Sequence, residues 1–181
     1  MTRNDMIDQS RTGLITIAPL SDVPACLGRY KFSHVVSILG SRDEMPFPVV
    51  PRSTQHLRMN FDDVGYTTDF GRAPDEQDIS SLISFFRSWD GNGHLLIHCK
   101  AGTSRSPAAG MIAIACIEKE KTEARISELL SLKAYYRPNS AMLRLADRIL
   151  ELDKKLISAA GLITNSDRKA EPVSAATINI F

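Results

Sequence analysis

Apolar residues recur along this chain in two rhythms. Short runs at residues 14–18 (LITIA), 34–39 (HVVSIL) and 94–99 (HLLIHC), with an alternating stretch at 56–61 (HLRMNF), have the length and Pro, Gly or Asp boundaries of strands. Elsewhere the period lengthens to that of a helix. Residues 21–30 form a short candidate capped by Ser21 or Asp22. Residues 73–89 begin with acids and place Ile79, Leu82, Ile83 and Phe86 at helical spacing. Three more helices are expected at 106–120, 122–136 and 139–158, the last capped by Asn139 or Ser140 behind Pro138.

This alternation predicts an α/β fold with a small central, largely parallel sheet of about four to five strands flanked by helices. Residues 40–55, with Pro46, Pro48 and Pro51, read as a surface loop. Residues 162–181 keep no period, so the expected division is a domain over 1–161 and a loosely attached C-terminal tail, whose TINIF segment could still dock as an edge strand.

Composition narrows the picture only a little. A chain of 181 residues with 43% hydrophobic content suits one filled core. A formal charge of +1 gives no bulk attraction for nucleic acid or anionic membrane, and neither is expected as a partner. The three cysteines, Cys26, Cys99 and Cys116, are odd in number and widely spaced, which suits a reducing, cytoplasmic home better than a disulfide framework. Cys26 and Cys116 lie in apolar helical patterns and read as inert packing residues. His34, His56 and His94 open strands and read as ordinary polar termini, so no metal site is expected.

Chemistry concentrates at residues 97–107, IHCKAGTSRSP. A buried strand delivers Cys99 at its carboxyl end and a helix begins near Arg105, so the intervening KAGTS is a strand-to-helix turn. Backbone N–H groups of such a turn can converge on an anion, and the helix N-terminus adds partial positive charge. Gly102 permits close approach or a positive φ. Arg105 supplies a planar fork matched to two oxygens of a phosphate. The same field favours the thiolate of Cys99.

The run His98-Cys99-Lys100-Ala101-Gly102-Thr103-Ser104-Arg105-Ser106 resembles the His-Cys-x5-Arg-Ser/Thr signature of the cysteine-dependent protein tyrosine phosphatases. Its place after three strands and an Asp-bearing loop is similar to the compact, dual-specificity-like branch, bacterial members included, over about residues 12–155. The resemblance implies a phosphatase-like fold and hydrolysis of phosphate monoesters through a phosphocysteine on Cys99. Residues 100–105, Lys100, Ala101, Gly102, Thr103, Ser104 and Arg105, would bind the phosphate, Ser106 would stabilise the departing thiolate, and His98 would brace the loop. No cofactor is implied, and the implied partner is a phosphorylated protein, with phosphotyrosine foremost. A general acid is expected on the loop after residue 61. Asp63 keeps the parity of Leu57, Met59 and Phe61 and matches the family's apolar-x-apolar-x-Asp pattern. Asp62 is the alternative, read first as a solvated or capping carboxylate, and Asp69 the next in line.

Four rival readings remain. The site could act on phosphoserine, phosphothreonine or a non-protein phosphate ester, or recognise phosphate without turnover. A sulfurtransferase or an arsenate reductase can also carry a Cys loop after a strand. Lys100 resembles the lipid phosphatases at one position, but Thr103 stands where they carry a second Lys.

Overall fold

A computed structural model describes residues 13–89, 91–118, 121–161 and 173–180. Strands β1 (Leu14–Pro19), β2 (His34–Leu39), β3 (Gln55–Asn60), β4 (His94–Cys99) and β5 (Ala176–Asn179) form one sheet in the order β3-β2-β4-β1-β5. The β1/β4, β2/β4 and β2/β3 pairs are parallel, and β5 runs antiparallel on the outer edge of β1. The expected α/β architecture is therefore present, with mixed direction only at one edge.

The two faces of the sheet are covered unequally. On one side Ile15, Ile17, Val36, Ile38, Leu95 and Ile97 pack against α2 (Glu76–Trp89), α3 (Arg105–Ile117), α4 (Thr122–Ser131), α5 (Ser140–Ile149) and α6 (Lys155–Gly161). On the other, Ala18, Val35 and Leu96 meet α1 (Val23–Arg29) through Val23 and Cys26, with Phe32 beside them. Central α3 is buried from Arg105 to Ala115, consistent with a sequence apolar on all sides. Gly110 permits that burial, because a Cβ there would stand 2.9 Å from Ile17 Cδ1. Among the described residues no helix is long and apolar enough to cross a membrane.

Several sequence expectations need correction. The helix expected over 122–136 stops at Ser131. The one expected over 139–158 is two, α5 and α6, separated by Glu151, Asp153 and Lys154 in left-handed conformation. Buried Asp147 explains the break, since its carboxylate accepts the N–H groups of Leu156 and Ile157 at 3.1 Å each and so caps α6. His34 and His94 are not simple polar termini. Both are buried, His94 hydrogen-bonded to Thr16 Oγ1 at 2.8 Å and packed on Phe32, His34 set edge-on against Phe85. Of the expected tail, 162–172 lie outside the described residues, while β5 buries Ile178 and Ile180 follows it into the core.

Candidate active site

Cys99 closes β4 and Arg105 opens α3, and between them Lys100 to Ser104 make the turn the sequence predicts. Gly102 takes φ 71° and lies so close to the end of β1 that a Cβ would stand 2.6 Å from Pro19 N. Both the conformation and the space demand glycine. The turn is held from outside. Leu20 N–H bonds Lys100 O at 3.1 Å, Arg137 N–H bonds Thr103 O at 2.8 Å, and Asn139 N–H bonds Ser104 O at 3.2 Å. Ala101 is exposed at the lip, and Lys100 reaches across to donate to Asp43 O at 3.3 Å.

Cys99 is 1% exposed. Its Sγ receives the Gly102 N–H at 3.2 Å and lies 3.3 Å from Ser106 Oγ. The sulfur thus meets one amide of the turn and the hydroxyl that follows Arg105.

Arg105 is 3% exposed, and its donors divide into two sets. Nη1 and Nη2 grip Asp43 Oδ2 and Oδ1 at 2.8 and 3.2 Å, and Nη1 also bonds Phe61 O at 3.0 Å. Nε is buried with no hydrogen-bond partner among the described residues. Burial opposes the guanidinium's charge, but Asp43 and the attraction of Cys99 and Asp63 outweigh it, and its pKa rises. Burial likewise pushes Asp43 up, yet hydrogen bonds from Arg105 and from Gly40 N–H leave it below the usual carboxylate range.

Asp43 was not legible as a site residue. It ends a short 3₁₀ turn, Ser41–Asp43, inside the segment read as a surface loop, and lies 62 residues from Arg105. An acid in a Gly-Ser-Arg-Asp turn directly after a strand is the only signal in the chain, and it names no partner.

The neighbouring carboxylates Asp62 and Asp63 face opposite ways. Asp62 is 3% exposed, so it is not solvated. It accepts from Arg42 N–H at 3.0 Å, Arg72 N–H at 2.9 Å and Ser41 Oγ at 3.3 Å, tying two loops together. Burial raises its pKa, but those bonds bring it below the ordinary value. Asp63 is exposed and turned toward the Cys99 turn, where its Oδ1 accepts from Ser104 Oγ at 2.7 Å and Asn139 Nδ2 at 2.8 Å. Asp69 sits in an exposed turn closed by the Thr68–Gly71 bridge.

His98 is fully buried and lies behind the turn, its Nε2 2.6 Å from Ser37 Oγ. Burial holds it neutral, with a pKa lowered to about 4. Cys26 and Cys116 are far less equipped than Cys99. Burial raises both thiols, Cys116 to about 11.

A thiol at a strand's carboxyl end, an amide-bearing turn and an arginine from the following helix stand together on this sheet. Among solved structures the chain is similar to DUSP15 at 19% identity, covering 87% of this chain and 97% of that one with a TM-score of 0.56. It is also similar to the human tyrosine phosphatase-like serine/threonine/tyrosine-interacting protein, at 16% identity over 75% and 87% of the two chains and a TM-score of 0.55. The Yvh1 phosphatase domain from Chaetomium thermophilum follows at 16% identity, 77% and 91% coverage and a TM-score of 0.52. No family model and no curated protein matches the sequence. The fold is therefore the one these solved structures share, a small, mostly parallel sheet flanked by helices.

Proposed function

We propose that this chain is a protein phosphatase that hydrolyses phosphate monoesters, phosphotyrosine foremost, through a phosphocysteine on Cys99. The observation that carries this reading is the division of Arg105. One edge of the guanidinium is spent on Asp43 and Phe61, and among the described residues the buried Nε has no partner on the side chain that follows the Cys99 turn. A buried cationic N–H is costly unless an anion meets it, and a phosphate oxygen beside Cys99 would supply one.

In the proposed reaction the Cys99 thiolate attacks phosphorus in line and the bond to the leaving oxygen breaks. The turn amides and Arg105 hold the non-bridging oxygens. Asp63 gives its proton to the leaving oxygen. As a carboxylate it then takes a proton from water while that water's oxygen bonds phosphorus and the S–P bond breaks. The electron pair returns to Cys99, where Ser106 Oγ can donate to the departing sulfur. Asn139 and Ser104 hold Asp63 next to the turn.

Turnover of phosphoserine and phosphothreonine as well is a second reading, supported by fold likeness to DUSP15 and the Yvh1 phosphatase domain. Phosphate release from matched phosphotyrosine, phosphoserine and phosphothreonine peptides, from phosphoinositides and from 5'-phosphorylated RNA separates the two and exposes a non-protein substrate. Cys99→Ser should abolish release while phosphate binding persists, because an alcohol of similar size is not ionised at neutral pH. Retention of more than a few percent of activity would remove Cys99 as nucleophile.

A further inference from the structure

Behind the Cys99 turn a line of polar side chains crosses three strands. Ser37 on β2 is registered with His98 on β4 and Arg58 on β3, and His56 lies two residues before Arg58 on the same face. That face is the one covered by α1. His98 Nε2 is 2.6 Å from Ser37 Oγ, Ser37 Oγ is 2.7 Å from His56 Nε2, and Arg58 Nε lies 3.3 Å from His56 Nδ1. Arg58 is at the surface, its guanidinium 6.0 Å from the ring of Phe47 in the proline-rich loop.

The direction of this line follows from its outer end. An arginine N–H can only donate, so His56 Nδ1 must accept. Burial and Arg58 keep His56 neutral, with a pKa lowered to about 4, so its single proton is on Nε2 and points at Ser37. The Ser37 oxygen takes that bond, and its own hydrogen goes to His98 Nε2. His98 is neutral as well, which leaves its proton on Nδ1. That nitrogen is buried with no hydrogen-bond partner of normal geometry among the described residues, and the backbone of Cys99 is the neighbouring group that favours a proton on the ring. Every donor in the line thus points inward, toward the nucleophile.

We propose that Ser37, His56 and Arg58 are positioning residues that act through His98, fixing its Nδ1–H against the Cys99 backbone and so holding the start of the turn with its amides aimed at Sγ. Without the line, the proton is free to move to His98 Nε2, and a lone pair then faces the Cys99 carbonyl. The turn would be repelled from its strand and the thiolate would lose support. Arg105 with Asp43, the Ser106 hydroxyl and Tyr136, the groups that bear on the sulfur from its other sides, are untouched by substitutions in the line. The proposal rests on Cys99 being the nucleophile but not on any particular substrate.

The experiment uses the full chain and three variants, Ser37→Ala, His56→Leu and His56→Gln. Gln can place an amide N–H where His56 Nε2 donates, so it is the conservative rescue. Imidazole ¹⁵N shifts at neutral pH should show His98 protonated on Nδ1 and His56 on Nε2. The pH midpoint of iodoacetamide alkylation, followed on the Cys99 peptide by mass spectrometry, should move up by on the order of one unit in Ser37→Ala and His56→Leu. It should stay at its wild-type place in His56→Gln. A His98 proton on Nε2 overturns the direction of the line, and an unmoved midpoint in His56→Leu overturns the role of His56. If Ser37→Ala does not fold, the two His56 variants decide alone. Neither readout needs a phosphate ester, so a chain that shows the shift yet releases no phosphate would sink the phosphatase reading and leave this one standing.

Discussion

At the scale of single residues, the adjacent carboxylates Asp62 and Asp63 meet different partners, and the difference can be read kinetically. Asp63 reaches the Cys99 turn through Ser104 and Asn139, whereas Asp62 is consumed by backbone N–H groups of Arg42 and Arg72. If Asp63 is the general acid, Asp63→Asn should slow phosphate transfer by about 10² to 10⁴-fold on phosphotyrosine peptides, with little loss on aryl esters whose leaving group departs as an anion. Asp62→Asn should keep the wild-type dependence on leaving-group pKa and lose stability instead, since a buried amide cannot accept the same set of bonds. Pre-steady-state transfer across substituted phenyl phosphates tests both, and a steepened slope in Asp62→Asn alone would exchange the roles. The proximity of Asp63 to the turn could be anticipated because strand parity and motif pattern agree on it. Asp43 could not be, since what makes it part of the site is a three-dimensional approach of its loop to Arg105.

Among the elements, α5 carries two duties at one residue. Asn139 caps the helix, its Oδ1 accepting Met142 N–H at 3.0 Å, while its Nδ2 donates to Asp63 at 2.8 Å. Asn139→Ser should preserve the cap, and with it the thermal midpoint, yet release one of the two bonds on Asp63. Turnover of substrates with basic leaving groups should then fall while readily leaving aryl esters are spared. Asn139→Ala should lose both, adding about 1 kcal/mol of destabilisation measurable by urea unfolding. A full loss of stability in Asn139→Ser, with an unchanged leaving-group profile, would show that the contact with Asp63 is incidental. The cap was visible in the sequence as Asn139 or Ser140 after Pro138, because capping is a local matter. The bond to Asp63 was not, and neither was the break between α5 and α6, which depends on Asp147 folding back over nine residues to Leu156.

Over the whole molecule, stability should follow pH in two windows. The folded state keeps His98 and His56 neutral down to about 4, whereas an unfolded histidine takes up its proton near 6.5, so the unfolded chain binds more protons between those values. Stability is lost as pH falls through this window, by on the order of 3 kcal/mol for fully buried His98 and less for half-exposed His56. Asp43 and Asp62 act lower down. Their folded pKa values lie below the unfolded ones, so their contribution is present above about pH 4 and is lost as pH falls through the folded values. Urea midpoints between pH 8 and pH 3 would show a decline in two stages, and a flat profile from about pH 6.5 to 4 would contradict the buried neutral histidines. A second test at this scale concerns the C-terminal strand. The central strands were legible because each is a continuous apolar run, whereas β5, four residues long with one buried position, was legible only as a tail segment able to dock as an edge strand. In the fold it covers the open edge of β1, where Ile178 and Ile180 are 3% and 0% exposed, Thr177 bonds Thr16, and Ala175 N–H bonds Asp22. A chain ending at residue 172 should lose up to roughly 3 to 6 kcal/mol from the two isoleucines and leave β1 unpaired on that side. Because Gly102 packs against Pro19 at the end of the same strand, the loss should reach the Cys99 turn, lowering turnover as well as the thermal midpoint, and the free edge should drive self-association visible by light scattering. A truncated chain that stays monomeric with the full-length midpoint would show that the domain closes without β5.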